Sequence, residues 1–199
     1  FGGGAKFSDD YLVVAAGRAD VNGLQRTGAL YVYDYQNNNW EYSMKLVASD
    51  LSAEAKLGMN PTSLDAEGNT IVAGAPGDNS WTGAAYVFTN NGGTWEEAQK
   101  IVSPSPQPSD VFGIGVSISG DYAIIGVPND DETEKNAGAA FIFSFDFVEY
   151  RWVEVQKLLA SDGDRDDQFG YSVSIDGDTA VVGARFHDHN GDNSGAAYV

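Results

Sequence analysis

One phrase occurs four times in this sequence, and it constrains the fold more than any other feature. Its clearest copy runs from Phe169-Gly170 to Gly183-Ala184, with an alternating segment, an Asp-Gly-Asp turn and a run of small apolar residues. The openings of the copies lie at residues 1, 57, 112 and 169, so the period is 55–57 residues. A constant period of this size indicates a repeat architecture, in which each copy forms the same supersecondary unit.

The openings divide the chain into repeats 1–56, 57–111, 112–168 and 169–199, and we treat 1–199 as one domain. The fourth repeat is incomplete, because it stops before the tryptophan that the other three contain. We therefore expect the sequence to be a segment of a longer chain.

Each complete repeat carries the pattern of four β-strands. In the first, Val173 and Ile175 alternate with polar residues, which is typical of a half-buried strand. The second is a nearly continuous apolar run rich in Gly and Ala, such as 180–184, which predicts burial on both faces. The third has the form of residues 138–143, and the fourth starts at a tryptophan that is followed five residues later by a lysine. These pairs are Trp40 and Lys45, Trp95 and Lys100, and Trp152 and Lys157.

Four antiparallel strands cannot bury both of their faces within one repeat. Sheets that stack face to face around an axis can, and this arrangement is a β-propeller. A linear β-solenoid is the alternative, but its coils are shorter than this period. We therefore predict an all-β fold, a β-propeller of four-stranded antiparallel blades with one blade per repeat. We expect the tryptophans to fill the space between adjacent sheets as core residues.

The Phe-Gly opening followed by Gly-Ala-Pro, as at Gly74-Ala75-Pro76, resembles the FG-GAP repeat of integrin α-subunit propellers. The longer pattern, with Gly-Ala-Ala-Tyr-Val-Phe at 83–88, is similar to the variant of secreted and surface proteins. The resemblance covers the whole chain and implies a propeller of about seven blades, with a closed four-bladed ring as the alternative. Integrin-like blades hold Ca²⁺ in a D-x-D-x-D-G loop, but the matching segments here, such as 176–178, are too short to enclose a cation.

Two other acidic tracts have a spacing that suits calcium, with oxygen ligands at alternate positions of a tight loop. The candidate ligands are Asp162, Asp164, Asp166, Asp188, Asn190 and Asp192. The alternative is that these residues form turns by accepting hydrogen bonds from backbone N–H groups. His187 and His189 suggest a transition metal only weakly, because no third ligand is evident. Calcium is the one possible cofactor.

Charge and motif content exclude several functional classes. The net charge of −18 repels phosphate backbones and anionic lipid, so neither nucleic acid nor direct membrane insertion is expected. No apolar run approaches the length of a membrane span. The chain also lacks cysteine and the usual signatures of nucleophilic, metallohydrolase and nucleotide chemistry. We expect it not to be an enzyme.

The favoured function is a non-catalytic, secreted or cell-surface module for adhesion or recognition, with an extracellular protein or glycan as its ligand. Loops 18–27, 76–82, 128–137 and 185–194 vary while the framework repeats, as recognition loops on a scaffold do. The candidate ligand-binding residues in these loops are Trp81, Asp130, Asp131 and Glu134. One alternative is a building block of an extracellular sheath, filament or appendage, which would bind copies of itself or other subunits. A second is the scaffold of a glycan-active hydrolase or lyase.

Overall fold

A computed structural model of the protein describes residues 1–8, 11–189 and 191–199. The chain is all-β, as predicted, and forms four antiparallel sheets that we number in chain order. Sheet 1 contains β1 (Gly4–Ser8), β2 (Tyr11–Ala15), β3 (Leu30–Gln36) and β4 (Asn39–Leu46). Sheet 2 contains β5 (Leu64–Glu67), β6 (Thr70–Ala75), β7 (Ala84–Asn91) and β8 (Thr94–Ile101). Sheet 3 contains β9 (Val116–Ser119), β10 (Tyr122–Val127), β11 (Ala139–Asp146) and β12 (Arg151–Leu158). Sheet 4 contains β13 (Phe169–Asp176), β14 (Thr179–Ala184) and β15 (Ala196–Tyr198).

Every sheet is a meander, in which each strand pairs with the next one along the chain. In the first hairpins of sheets 2, 3 and 4, Gly68, Gly120 and Gly177 have the positive φ that a tight turn requires. Sheets 1, 2 and 3 share a bulge between their third and fourth strands, at Val32/Tyr33, Val87/Phe88 and Ile142/Phe143. This shared irregularity lets residues of different sheets be matched one to one.

Two single-turn helices interrupt this pattern among the described residues. One is the 3₁₀ turn Pro61–Ser63, where the Asn60 side chain accepts hydrogen bonds from the N–H groups of Thr62 and Ser63. The other, Asp78–Trp81, contains three consecutive residues with positive φ, Asn79, Ser80 and Trp81. It is therefore a left-handed turn rather than a regular helix. It holds the loop after β6 close to the sheet.

Hydrophobic residues bury the faces between successive sheets. Between sheets 1 and 2, Val13 and Val32 pack with Ile71, Tyr86 and Trp95. Equivalent cores lie between sheets 2 and 3 and between sheets 3 and 4. The predicted burial of the second strand on both faces is confirmed for β6 and β10, in which every residue after the first is buried. In β14, which contains 180–184, only Val182 and Ala184 are buried. The first strands of successive sheets also contact one another, which sets the sheets in a regular stack.

A second link between sheets comes from the Phe-Gly openings. Single parallel bridges join Gly28 to Leu57, Gly83 to Phe112 and Gly138 to Phe169. In each pair the glycine stands just before the third strand of one sheet, and its partner opens the next repeat. The opening of a repeat is thus fixed to the sheet before it.

The tryptophans have two environments. Trp95 and Trp152 are buried in the cores between sheets, which confirms their expected role. Trp40 is only half-buried and lies against Phe7 and Tyr35 on the outer face of sheet 1. No described sheet packs on that face, so the core position of Trp40 stays a prediction.

Candidate functional site

The loops after the second strands lie at one end of the sheets, beside the connectors that link one sheet to the next. Backbone hydrogen bonds fix loops 18–27, 76–82 and 128–137 to the following connector: Lys56 N–H donates to Arg26 O over 3.1 Å, Val111 N–H to Trp81 O over 2.9 Å, and Gln168 N–H to Asn136 O over 3.1 Å. We call this surface the loop face. It comprises loops 18–27, 76–82, 128–137 and 185–194 and connectors 47–56, 102–111 and 159–168.

The loop face of repeat 2 contains a cluster of one lysine and two aspartates, of which Asp78 is buried. The Lys100 ammonium lies 2.8 Å from a carboxylate oxygen of Asp78 and 2.8 Å from one of Asp50. Ser52 and Tyr86 complete the cluster, donating to Asp78 and Asp50 over 2.7 Å each. Burial opposes ionisation of Asp78, but the hydrogen bonds from Lys100 and Ser52 and the charge of Lys100 hold its pKa below the usual value. Burial also opposes the charge on Lys100, yet the two carboxylates raise its pKa. All three groups are therefore charged at neutral pH.

Repeat 3 has the equivalent pair. Lys157 contacts Asp130 over 2.8 Å and Glu132 over 2.6 Å, and these two carboxylates raise the pKa of Lys157 against the effect of its burial. Nearby, the buried carboxylate of Asp110 accepts a hydrogen bond from Gln107 N–H over 2.8 Å. Burial raises the pKa of Asp110, and the negative charges of Asp130 and Asp131 add to the effect.

Repeat 4 has a histidine in place of the aspartate. His187 is 7 % exposed, and its Nδ1 lies 2.8 Å from the carboxylate of Asp167. Its Nε2 lies 3.7 Å from Asp162, which accepts a hydrogen bond from the Tyr198 hydroxyl over 2.7 Å. The hydrogen bond with Asp167 is the main cause that raises the pKa of His187. The Tyr198 hydrogen bond lowers the pKa of Asp162.

A cleft of about 430 Å³ opens beside His187. It is lined by Asp162, Asp164, Arg165, Asp167, His187, Asp188 and His189. The two acidic tracts proposed as calcium loops therefore share one cleft, which their separation in sequence did not indicate. The rings of His187 and His189 are stacked, with centroids 6.0 Å apart.

Most of the candidate calcium ligands already accept hydrogen bonds from protein groups. Asp164 accepts from Arg165 N–H, Asp166 from the Asn136 side chain and Asp188 from Asn193 N–H.

Asp192 is exposed, and Asn190 lies outside the described residues. Within residues 1–8, 11–189 and 191–199, no group of three or more His, Asp or Glu side chains is arranged to hold a metal ion. Calcium binding stays a prediction of the sequence.

The candidate ligand-binding residues differ in how much of their surface is free. Trp81 is partly exposed, with the Lys56 ammonium 4.0 Å from its ring centroid, and Glu134 is exposed. Asp130 is buried in the pair with Lys157, so it supports the loop from below. Asp131 caps the loop by accepting a hydrogen bond from Asn136 N–H over 2.7 Å. Asp131 is exposed as well, so Trp81, Asp131 and Glu134 are the three that an external ligand can reach.

Sequence reasoning missed the lysine–aspartate pairs. The signal was present, because each lysine comes five residues after a tryptophan, and Asp78 and Asp130 each come four residues after the glycine of the second strand. Strand pairing shows why these positions meet: Lys100 lies opposite Tyr86 and Lys157 opposite Phe141, at the loop end of the sheet.

Comparison with known families agrees with this repeat structure. The family described as FG-GAP repeat matches residues 40–88, 95–143 and 152–199. The chain belongs to the FG-GAP repeat family. Each match runs from the tryptophan strand of one sheet through the third strand of the next, so each unit of the FG-GAP family spans a connection between two sheets. A comparison with curated proteins found no match. Among the described residues, no helix is long and apolar enough to cross a membrane.

Proposed function

We propose that this FG-GAP chain is a non-catalytic binding module of an extracellular or cell-surface protein, and that its four sheets are blades of a β-propeller. The observation that carries the proposal is the loop face. Variable loops are fixed there to a repeating framework by hydrogen bonds to the next connector, so successive loops form one continuous surface. A rigid scaffold with variable loops is suited to recognition, because little ordering entropy is lost on binding.

The clusters beneath the loop face support the same proposal. Asp78 pairs with Lys100, and Asp130 pairs with Lys157. These ion pairs fix the position of the loops and leave little of the paired side chains accessible to a ligand. The exposed side chains above them, Trp81 and Glu134, differ from repeat to repeat. A partly exposed tryptophan held by a lysine offers an anchor of the kind that dominates binding energy at interfaces.

The net charge of −18 narrows the class of ligand. A surface this acidic disfavours polyanions and favours neutral glycans or proteins with a basic patch. We expect protein or neutral glycan ligands, and no nucleic acid.

Capture on arrays of extracellular proteins and of neutral and acidic glycans tests the proposal. We expect at least one neutral glycan or basic protein to bind, and we expect Trp81→Ala or Glu134→Gln to weaken that binding by about tenfold, which is about 1.4 kcal/mol. Phe147→Ala is the matched control, because Phe147 is exposed in the β11–β12 hairpin at the opposite end of the sheets. Equal binding by all of these variants would refute recognition by the loop face. Cleavage of an arrayed glycan would favour the enzymatic alternative.

A further inference from the structure

Sheets 1 and 2 leave a groove of about 460 Å³ between them, at the end of the sheets opposite the loop face. Both walls are four-stranded sheets, and the groove lies on the side of each sheet that faces the other. The side chains that line it and determine its chemistry are those of Tyr11, Asp34, Gln36, Asn69 and Asn90. The groove therefore belongs to the contact between two described sheets.

The alternation of side chains along the strands directs three of these residues into the groove. Asp34 and Gln36 lie on the same face of β3 as Val32, which packs in the core between sheets 1 and 2. Asn90 lies on the same face of β7 as Phe88, which packs in that core from the other side. The polar residues thus extend the two facing surfaces beyond their apolar part.

The position of Asn90 recurs in sheet 3 as Phe145. Asn90 N–H donates to the backbone carbonyl of Asn69, and Phe145 N–H donates to that of Asp121, both over 2.9 Å. Each of the two residues also pairs with the tryptophan of the next strand. The backbone is therefore bonded in the same way at the two positions, and the side chain is what differs.

An aromatic side chain fills this space between sheets 2 and 3. The Phe145 ring packs against the core there and contacts the rings of Trp152 and Phe147, with centroids 5.6 and 5.1 Å away. Between sheets 1 and 2, Tyr11 contacts Trp95 from the opposite wall, with centroids 4.8 Å apart. With asparagine in place of phenylalanine, the space beside this aromatic pair stays open and polar.

The side chains that line the groove match the hydroxyl groups of a sugar. The amides of Gln36, Asn69 and Asn90 each carry donors and an acceptor, and the carboxylate of Asp34 accepts. Each sugar hydroxyl both donates and accepts, so this set of groups suits neighbouring hydroxyls on one ring. Tyr11 adds aromatic surface to the lining, as is usual where a few polar groups orient a small ligand.

Charge and rigidity narrow the class of ligand further. Asp34 is the one charged residue among the described residues that line the groove, so an anionic sugar is disfavoured there. The Asn90 side chain is held by a hydrogen bond, in which its Oδ1 accepts from Gly93 N–H over 2.8 Å. A polar group that is already held in place loses little conformational entropy when a ligand binds.

We propose that the groove between sheets 1 and 2 binds a neutral hexose residue of a glycan, through hydrogen bonds to Asp34, Gln36, Asn69 and Asn90. The groove and Trp81 lie at opposite ends of the sheets, so this is a second binding site. The inference does not depend on recognition by the loop face.

Titration of the isotope-labelled 199-residue chain with sugars, followed by NMR chemical shifts, tests the proposal. The probes are glucose, galactose, mannose and short neutral oligosaccharides of each. We expect at least one probe to bind, and we expect Gln36→Ala to weaken its binding by about tenfold, because a hydrogen bond to the sugar is lost. Asn90→Phe places in the groove the side chain that sheet 3 has at this position, and it is expected to abolish binding.

Two variants serve as controls. Asn91→Ala is the matched control, because Asn91 is exposed and follows Asn90 on β7 but lies on the opposite face of the strand. Trp81→Ala changes the loop face. Both are expected to bind the sugar like the wild type. Circular dichroism checks that each variant is folded, and if Asn90→Phe is not, the exposed Gln36 still provides the test through Gln36→Ala.

The pattern of losses separates the two ends of the sheets. Loss of sugar binding in Gln36→Ala and Asn90→Phe, with Trp81→Ala unaffected, supports the proposal. Loss in Trp81→Ala alone would place the sugar on the loop face and overturn it. A wild-type chain that binds none of the neutral probes at millimolar concentration overturns it as well, as does a clear preference for glucuronate over glucose.

Discussion

Sheets 3 and 4 carry side chains of opposite charge at one shared position, which lies in the loop before the third strand. The N–H group of the glycine before the third strand donates a hydrogen bond to the backbone carbonyl of this residue, which is Asp130 in repeat 3 and His187 in repeat 4. Asp130 takes its cation from Lys157 in β12, within its own sheet. His187 takes its anion from Asp167, in the connector before its own sheet.

The change at this position also changes the environment of the connector aspartate. Asp110 and Asp167 each stand two residues before a Phe-Gly opening, and each accepts a hydrogen bond from the N–H three residues earlier. Asp167 faces the imidazole of His187, whereas Asp110 lies near the negative charge of Asp130. The electrostatic environment of the connector aspartate therefore depends on its neighbour in the loop: it is favourable beside His187 and unfavourable beside Asp130.

Repeat 1 provides the neutral reference. Ala19 holds the same position through the hydrogen bond from Gly28 N–H, and Lys45 lies opposite Tyr31 as Lys157 lies opposite Phe141. Without a carboxylate at residue 19, Lys45 lies with its ammonium 5.9 Å from the Tyr31 ring centroid. The repeats therefore offer matched lysines with and without a buried partner.

The largest effect is expected from Lys157→Met. This change leaves Asp130 buried without its cation, which costs about 3 kcal/mol of unfolding free energy, because a lone buried carboxylate is poorly solvated. Lys45→Met is the matched control and should cost less than about 1 kcal/mol, since no buried charge is left behind. Urea unfolding of both variants measures the difference. Equal losses in the two variants would show that the Lys157 pair contributes nothing beyond side-chain packing.

The next prediction concerns the two connector aspartates, for which neutralisation should have opposite effects. Asp110→Asn keeps the acceptor for Gln107 N–H but removes a charge that burial, Asp130 and Asp131 disfavour, so it should stabilise the protein at pH 7 by on the order of 1 kcal/mol. Asp167→Asn weakens the contact with His187 and should destabilise by a similar amount. Melting temperatures at pH 7 test both signs. A stabilised Asp167→Asn would contradict the comparison.

A smaller effect is expected from the titration of His187. Its pKa is raised by the hydrogen bond with Asp167, against the effect of burial, and by the charges of Asp167, Asp162 and Asp188. A raised folded-state pKa means that the stabilisation is complete below the unfolded value of about 6.5 and is lost as pH rises through the folded value. The melting temperature should therefore fall across this window.

The substitution His187→Gln should remove the pH dependence within this window. His189→Gln is the control, because His189 is exposed and stacks on His187 without contacting Asp167. An unchanged pH profile in His187→Gln would assign the titration to another group.

The strands were predicted well from the sequence because every repeat contains the same local pattern. The alternation at Val173 and Ile175, the small residues of 180–184 and the turn glycines all act locally, so periodicity and turn chemistry were sufficient. Trp40 and Trp95 share one local pattern, a tryptophan five residues before a lysine, yet only Trp95 packs between two described sheets. The exposure of Trp40 depends on which sheet lies next to it, which no local pattern records.

The site was harder to predict, because its contacts join residues that are distant in sequence. Lys157 and Asp130 are 27 positions apart, and Asp167 and His187 are 20 apart. Asp162 and Asp188 were identified as candidates in separate tracts, and only the packing of the connector on the last loop places both on one cleft. The sequence also could not show that Asp188 caps a turn while Trp81 stays accessible.

The smallest effect is expected from calcium, and it would extend the comparison to the open cleft beside His187. In repeat 3 the ammonium of Lys157 lies between two carboxylates, whereas Asp162 and Asp164 line an open cleft that an added cation can enter. A cation at tenfold excess over its Kd adds about 1.4 kcal/mol, or roughly 4 °C in melting temperature for a chain of this size. We expect millimolar Ca²⁺ to give a rise of this size relative to chelator, and Asp164→Ala to abolish it. Asp176→Ala, at the end of β13, is the control and should keep the response. No response in the wild type would leave these aspartates as turn formers, whose oxygens serve backbone N–H groups as Asp188 does.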